Sequence, residues 1–265
     1  MRLWRRNRAA AVRPESEPLA DDVPAGEAVV VFLHIPKCGG TSLHEWLGRH
    51  AAPGTLSPER NRLPDIVPAE RVRSMQTHRV FSGHFDVLDL RHFPRPQHRF
   101  TVFRDPIDRI VSLYDFWRAH YPAHIEADDL IGPRLASSMT FEEFLTGPDR
   151  RIVPDLDNTI VRTFTGLIRS SEPFEDAERS LAEATRFVAS LDHVGHVEHL
   201  EDTASWLGSE FGVEGPVDLA RVNVRGDWDE AILRNVERTV LSDTARELIE
   251  PLVTLDRRLI DQFTG

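Results

Sequence analysis

The run Ala28-Val-Val-Val-Phe-Leu-His34 constrains this chain more than any other stretch. An uninterrupted series of β-branched and apolar side chains suits a strand buried on both faces, as in a parallel sheet. Pro36 to Gly40 is expected as a loop. Thr41 to Arg49 then has helical spacing, with Leu43, Trp46 and Leu47 on one face. Strand, glycine turn and helix make half of a βαβ unit, and such sheets place ligands beyond the carboxyl ends of their strands.

Downstream, the proline-punctuated stretch from Ala52 to Pro68 reads as an irregular connection. Arg79-Val-Phe-Ser-Gly-His84 reads as a short strand ending at a Gly-His turn, and Arg99-Phe-Thr-Val-Phe103 as a third strand. After it, Asp105 suits an N-cap and Pro106 the first helical position, with Ile110, Val111, Tyr114 and Trp117 near one helical face. Ala119 to Pro154 is polar, with one short helix announced by the capping box Thr140-Phe-Glu-Glu143. Helices are expected from Asn158 to Phe164, Glu175 to Leu191, Glu201 to Phe211 and Asp229 to Phe263, the last broken before Pro251. His193 to His199 reads as a strand. Strands alternating with helices, without an internal repeat or a second core, predict one doubly wound α/β domain, 27–265, behind an aperiodic tail, 1–26.

The 265 residues include 32 basic and 43 acidic ones, a net charge of −11. A global electrostatic grip on nucleic acid or an anionic membrane is therefore not expected, and any anion must be held by a local cluster. Of the basic residues 31 are arginine; the one lysine is Lys37, inside the glycine turn. No apolar run approaches the ~18–20 residues of a membrane span, and the basic N-terminus lacks the apolar core of a secretory signal. With one cysteine, Cys38, the chain can form neither an internal disulfide nor a cysteine-rich zinc site. The expectation is a soluble cytoplasmic protein.

His34-Ile-Pro-Lys-Cys-Gly-Gly-Thr-Ser42 has the parts of a phosphate cradle. Gly39 and Gly40 let backbone N–H groups approach an anion, and the helix start adds donors and a positive dipole end. Lys37 can reach the same anion, while Thr41 and Ser42 offer hydroxyls or cap the helix. It is not the G-x-x-x-x-G-K-[ST] loop of nucleotide kinases, because here lysine precedes the glycines and the Mg²⁺-holding hydroxyl falls out of register. The arrangement resembles the 5′-phosphosulfate loop of the sulfotransferase superfamily. Its form is most similar to the carbohydrate branch that contains the uronyl and heparan 2-O-sulfotransferases and many bacterial relatives. Phe103-Arg-Asp-Pro-Ile-Asp-Arg-Ile-Val-Ser-Leu-Tyr114 resembles the family's 3′-phosphate motif, R-D-P-x-x-R-x-x-S-x-Y. Arg104 leaves a strand end and can fork onto a phosphate, and Ser112 follows about two helical turns later, sharing a face with Arg109. Ser82-Gly-His84 is similar to the segment that carries the family's base. Asp157 to Gly166 and Val194 to Leu207 resemble further family segments, and Val222-Asn-Val-Arg-Gly226 falls where relatives close a loop over the cofactor.

This resemblance, spanning Val29 to Phe263, implies a P-loop-NTPase-like parallel sheet flanked by helices. It implies a metal-independent enzyme that moves a sulfuryl group from 3′-phosphoadenosine-5′-phosphosulfate to a hydroxyl-bearing acceptor, foremost a carbohydrate. Lys37 and His84 would be catalytic; Pro36, Lys37, Cys38, Gly39, Gly40, Thr41, Ser42, Arg104, Ser112 and Arg225 would bind the donor. His34, His44 and His78 are alternative bases, with His34 expected to position the loop through ring hydrogen bonds. Two other readings compete: a metal-dependent nucleotide kinase, and a non-catalytic nucleotide- or glycan-binding relative. His193, His196 and His199 invite a metal site, but on a strand a spacing of three turns His196 to the opposite face. Cys38 has neighbours that can lower a thiol pKa, yet reads as a small loop-filling residue. Trp46 and Trp117 read as core, and Glu126 to Asp129 as a solvated face.

Overall fold

Four parallel strands organise the protein in a computed structural model, which describes residues 28–147, 149–211, 219 and 232–263. They are β1 (Val29–Leu33), β2 (Val80–Gly83), β3 (Gln97–Phe103) and β4 (His193–His196), in the order β2-β1-β3-β4. Helices α1 (Gly40–His50) and α2 (Ala69–Met75) separate β1 from β2. Between β3 and β4 lie α3 (Pro106–Arg118), α4 (Pro122–Ala127), α5 (Ile131–Ser138), α6 (Phe141–Thr146), α7 (Val153–Leu156), α8 (Thr159–Thr165) and α9 (Ala177–Val188). After β4 come α10 (Leu200–Phe211) and α11 (Asp243–Ile260).

The period of two along β1 explains why all five of its side chains are buried. Val29, Val31 and Leu33 join the cluster built by α8, α9 and α11, while Val30 and Phe32 face Trp46 and Leu47 of α1 and Leu207 of α10. The sheet is thus covered on both sides, as its unbroken apolar sequence requires. From β1 the chain crosses to β2 on one side; from β3 it crosses to β4 on the other. The reversal opens a crevice at the carboxyl ends of β1 and β3, which are followed by the Pro36–Ser42 turn and by Arg104.

Three expectations need correction. The stretch from Ala119 to Pro154 holds α4, α5 and the start of α7 besides the capped α6. Pro122, Pro133 and Pro154 stand in first turns, where the missing N–H costs nothing, and Gly132 fits where a Cβ would approach the Trp117 ring to 2.7 Å. The last helix begins at the Ser242 cap rather than near Asp229. Before it, residues 232–239 run beside the end of α3: Tyr121 N–H donates to the Ile232 carbonyl, Arg234 N–H to that of Ala119, and Thr239 N–H and Oγ1 both donate to Asp115. Finally, α11 continues through Pro251. Asn158 inserts in the turn that follows it, its N–H donating to the Leu252 carbonyl and its Oδ1 accepting from Leu255 and Asp256 N–H. Among the described residues no helix is long and apolar enough to cross a membrane. The 1–26 segment and the 222–226 loop with Arg225 lie outside the described residues.

Candidate active site

A cleft of about 640 Å³ occupies the crevice. Its lining includes Pro36, Lys37, Gly39, Gly40, Thr41, Ser42, His84, Arg104 and Ser112, so the structure brings together most of the side chains singled out in the sequence. The cradle at its floor is shaped by close packing. Gly39 takes φ +71° and a Cβ there would come within 2.9 Å of Leu200, while a Cβ on Gly40 would lie 1.9 Å from Nε2 of His34. No side chain caps α1 and no acid sits in its first turn, which leaves its N-terminal amides directed at whatever anion the cleft takes.

Lys37 itself has φ +70°, a conformation that costs a non-glycine residue roughly 1–3 kcal/mol and marks functional turns. Its Nζ lies 3.9 Å from the centroid of the Phe116 ring, one helical turn beyond Ser112. Enclosure by protein, and secondarily the Arg104 charge, push its amine down to about 8. Arg104 donates from Nη1 to the Lys37 carbonyl at 3.2 Å, tying the two motifs together.

His84 follows β2, where Gly83 has Arg60 backbone 2.5 Å from any would-be Cβ. Its Nδ1 is 2.9 Å from the His34 carbonyl. A carbonyl can only accept, so Nδ1 carries the proton and Nε2 keeps its lone pair. Burial holds this imidazole down to about 4, with the charges of Arg62, Arg60 and Lys37 adding to the effect, so it is neutral at ordinary pH. The His34 ring is stacked between Phe32 at 5.2 Å and His84 at 4.4 Å between centroids. Its buried Nδ1 has no partner, so that nitrogen makes none of the ring hydrogen bonds expected to position the loop, and His34 meets the site through its carbonyl and the bulk of its ring. His44 and His78 do not line the cleft; His78 bonds the Ser74 carbonyl at the end of α2.

Other residues depart from expectation. Cys38 points into the core beneath the loop, and burial pushes its thiol up to about 12, so its side chain does not face the cleft. Arg109 does not share the cleft with Ser112; fully buried, it donates to the Asp155 carbonyl and Thr159 Oγ1. Trp46 is core, but Trp117 also lines the cleft. His193 bonds Thr203 and stacks on Trp206, while His196 lies beside Glu198. Phe116 could have been read from its position one turn after Ser112. Asp155, which also lines the cleft, sits in a stretch without any recognisable pattern and gave no signal.

Set against known proteins, residues 23–260 match the model of a sulfotransferase family. No curated protein matches the chain.

Proposed function

Because the chain belongs to the sulfotransferase family, we propose that it transfers a sulfuryl group from 3′-phosphoadenosine-5′-phosphosulfate to a hydroxyl, in the carbohydrate branch of that family. One observation carries this reading: a single cleft joins an uncapped helix N-terminus, Lys37, Arg104 and Ser112 to a neutral histidine whose Nε2 is free to accept a proton. The Gly39–Ser42 amides and Lys37 hold the 5′ end of the donor, and Arg104 with Ser112 takes the 3′-phosphate that ATP and AMP lack. Nε2 of His84 receives the acceptor's proton while the acceptor oxygen bonds to sulfur and the bond from sulfur to the 5′-phosphate oxygen breaks. Charge that develops on the departing phosphate meets Lys37 and the loop amides, fixed before the reaction begins.

The test separates binding from chemistry. Adenosine 3′,5′-bisphosphate at a hundredfold its dissociation constant should stabilise the protein by ~2.7 kcal/mol, more than AMP or ATP at equal concentration and without Mg²⁺. Arg104→Ala should weaken that binding. His84→Ala should abolish sulfate transfer from labelled donor yet leave bisphosphate affinity near wild type, and Lys37→Ala should slow transfer ~10²–10³-fold. Equal stabilisation by AMP, or full transfer by His84→Ala, would overturn the respective assignment.

A further inference from the structure

Asp155 is out of place in a cleft built for an anion. It lines the same cleft as Lys37, Arg104 and His84, and its charge opposes that of a phosphate or sulfate bound there. Its position is set rather than loose. It belongs to α7 between the buried Pro154 and Leu156, and its carbonyl accepts from the fully buried Arg109 at 2.7 Å. Its carboxylate has no hydrogen-bond or ion-pair partner among the described residues. Burial raises its pKa, and the charges of Arg62 and Arg109 oppose that rise. The Arg62 charge bears on both Asp155 and His84, and both residues line the one cleft.

A half-buried carboxylate that lines a cleft and has no partner among the described residues is free to accept from a ligand's hydrogen-bond donor. The donor substrate cannot supply one from its anionic groups. The acceptor can, because an acceptor with several hydroxyls has one to offer besides the one that reacts. We propose that Asp155 is the residue that selects the acceptor: its carboxylate accepts from a hydroxyl adjacent to the one that His84 deprotonates, so the cleft prefers polyhydroxylated acceptors over simple alcohols. The assignment rests on the sulfotransferase reading above and adds the residue that recognises the second substrate.

The experiment uses neutral methyl glycosides as probes, each paired with the deoxy analogue lacking the hydroxyl next to the sulfated position. Transfer from labelled donor is measured alongside calorimetric binding of adenosine 3′,5′-bisphosphate. The wild type should favour the parent glycoside over its deoxy analogue about 10- to 100-fold in kcat/KM, the range for a hydrogen bond to a charged group. In Asp155→Asn and Asp155→Ala that ratio should fall toward one, chiefly through KM. Both variants should bind bisphosphate at least as tightly as wild type, because a like charge has left the cleft. An unchanged ratio overturns the proposal, and so does loss of kcat on both members of a pair, which would make Asp155 the base. Weakened bisphosphate binding in both variants would make its role structural and overturn it as well. A protein that binds bisphosphate but sulfates none of the glycosides also overturns it, whereas one that does not bind bisphosphate overturns the donor reading instead.

Discussion

Gly40→Ala should disable this site by steric means alone. The added Cβ would lie 1.9 Å from Nε2 of His34 and 2.1–2.2 Å from two other ring atoms. Ordinary contact begins near 3.4 Å, so the ring would have to retreat by about 1.5 Å. It has nowhere to slide along its stacking axis, where Phe32 and His84 flank it and Phe32 is itself packed on Phe100 at 4.6 Å. The strain must go into a new rotamer or into the loop, at about 1–3 kcal/mol for overpacking a filled interior. Either response disturbs the cradle amides or the His34 carbonyl that orients His84. Thermal unfolding should therefore show a midpoint lower by several degrees, about 2–4 °C per kcal/mol for a chain of this size, with weaker bisphosphate binding. The double variant Gly40→Ala/His34→Ala removes the obstructing ring and should bind bisphosphate as well as His34→Ala alone, a positive coupling between touching residues. Wild-type stability and affinity in Gly40→Ala, or a double variant no better than the single, would refute the steric account.

Two further predictions concern titration and the thiol. On the proposed function the free enzyme is competent when His84 is neutral and Lys37 charged, which their values of about 4 and about 8 confine to the interval between. A profile of kcat/KM against pH should rise through about 4 as the base loses its proton and fall above about 8 as the ammonium loses its own; an alkaline limb persisting in Lys37→Ala would refute the lysine assignment. Cys38, with its thiol pushed up to about 12 and buried in the core, should resist iodoacetamide at pH 8 in the folded protein and react once urea unfolds it; rapid native alkylation would show that the side chain faces the cleft after all.

Strong periodic signals made much of the architecture legible. The unbroken run at β1 announced burial on both faces, and Asp105-Pro106 announced a helix start that the structure caps from Asp105 to Asp108 N–H. What escaped was decided by tertiary contacts. The sequence treats Pro251 as a breaker, because nothing local to it reveals that Asn158, nearly a hundred residues away, will bond Leu252, Leu255 and Asp256 in the turn that follows. Cys38 and Lys37 are neighbours with opposite fates, one side chain in the core and one at the cleft, because the positive φ of Lys37 reverses the chain between them. Motif spacing singles out Lys37, Arg104 and His84, and the structure gathers the three along one cleft. Spacing is silent on Asp155, whose significance lies in what surrounds it.

The His34–Lys37 segment ties these parts into one unit. The His34 carbonyl orients the His84 imidazole, the His34 ring sets the space around Gly40, and the Lys37 carbonyl receives Arg104. On the proposed reading this linkage also bears on reactivity. A base near 4 is neutral everywhere that matters but weak, and its low value comes from burial and from the positive charges of Arg62, Arg60 and Lys37. An anionic donor entering the same cleft offsets those charges and raises the histidine toward the range where a neutral imidazole accepts protons best. The cleft's positive charge therefore serves twice: it binds the donor, and until the donor arrives it keeps the base weak.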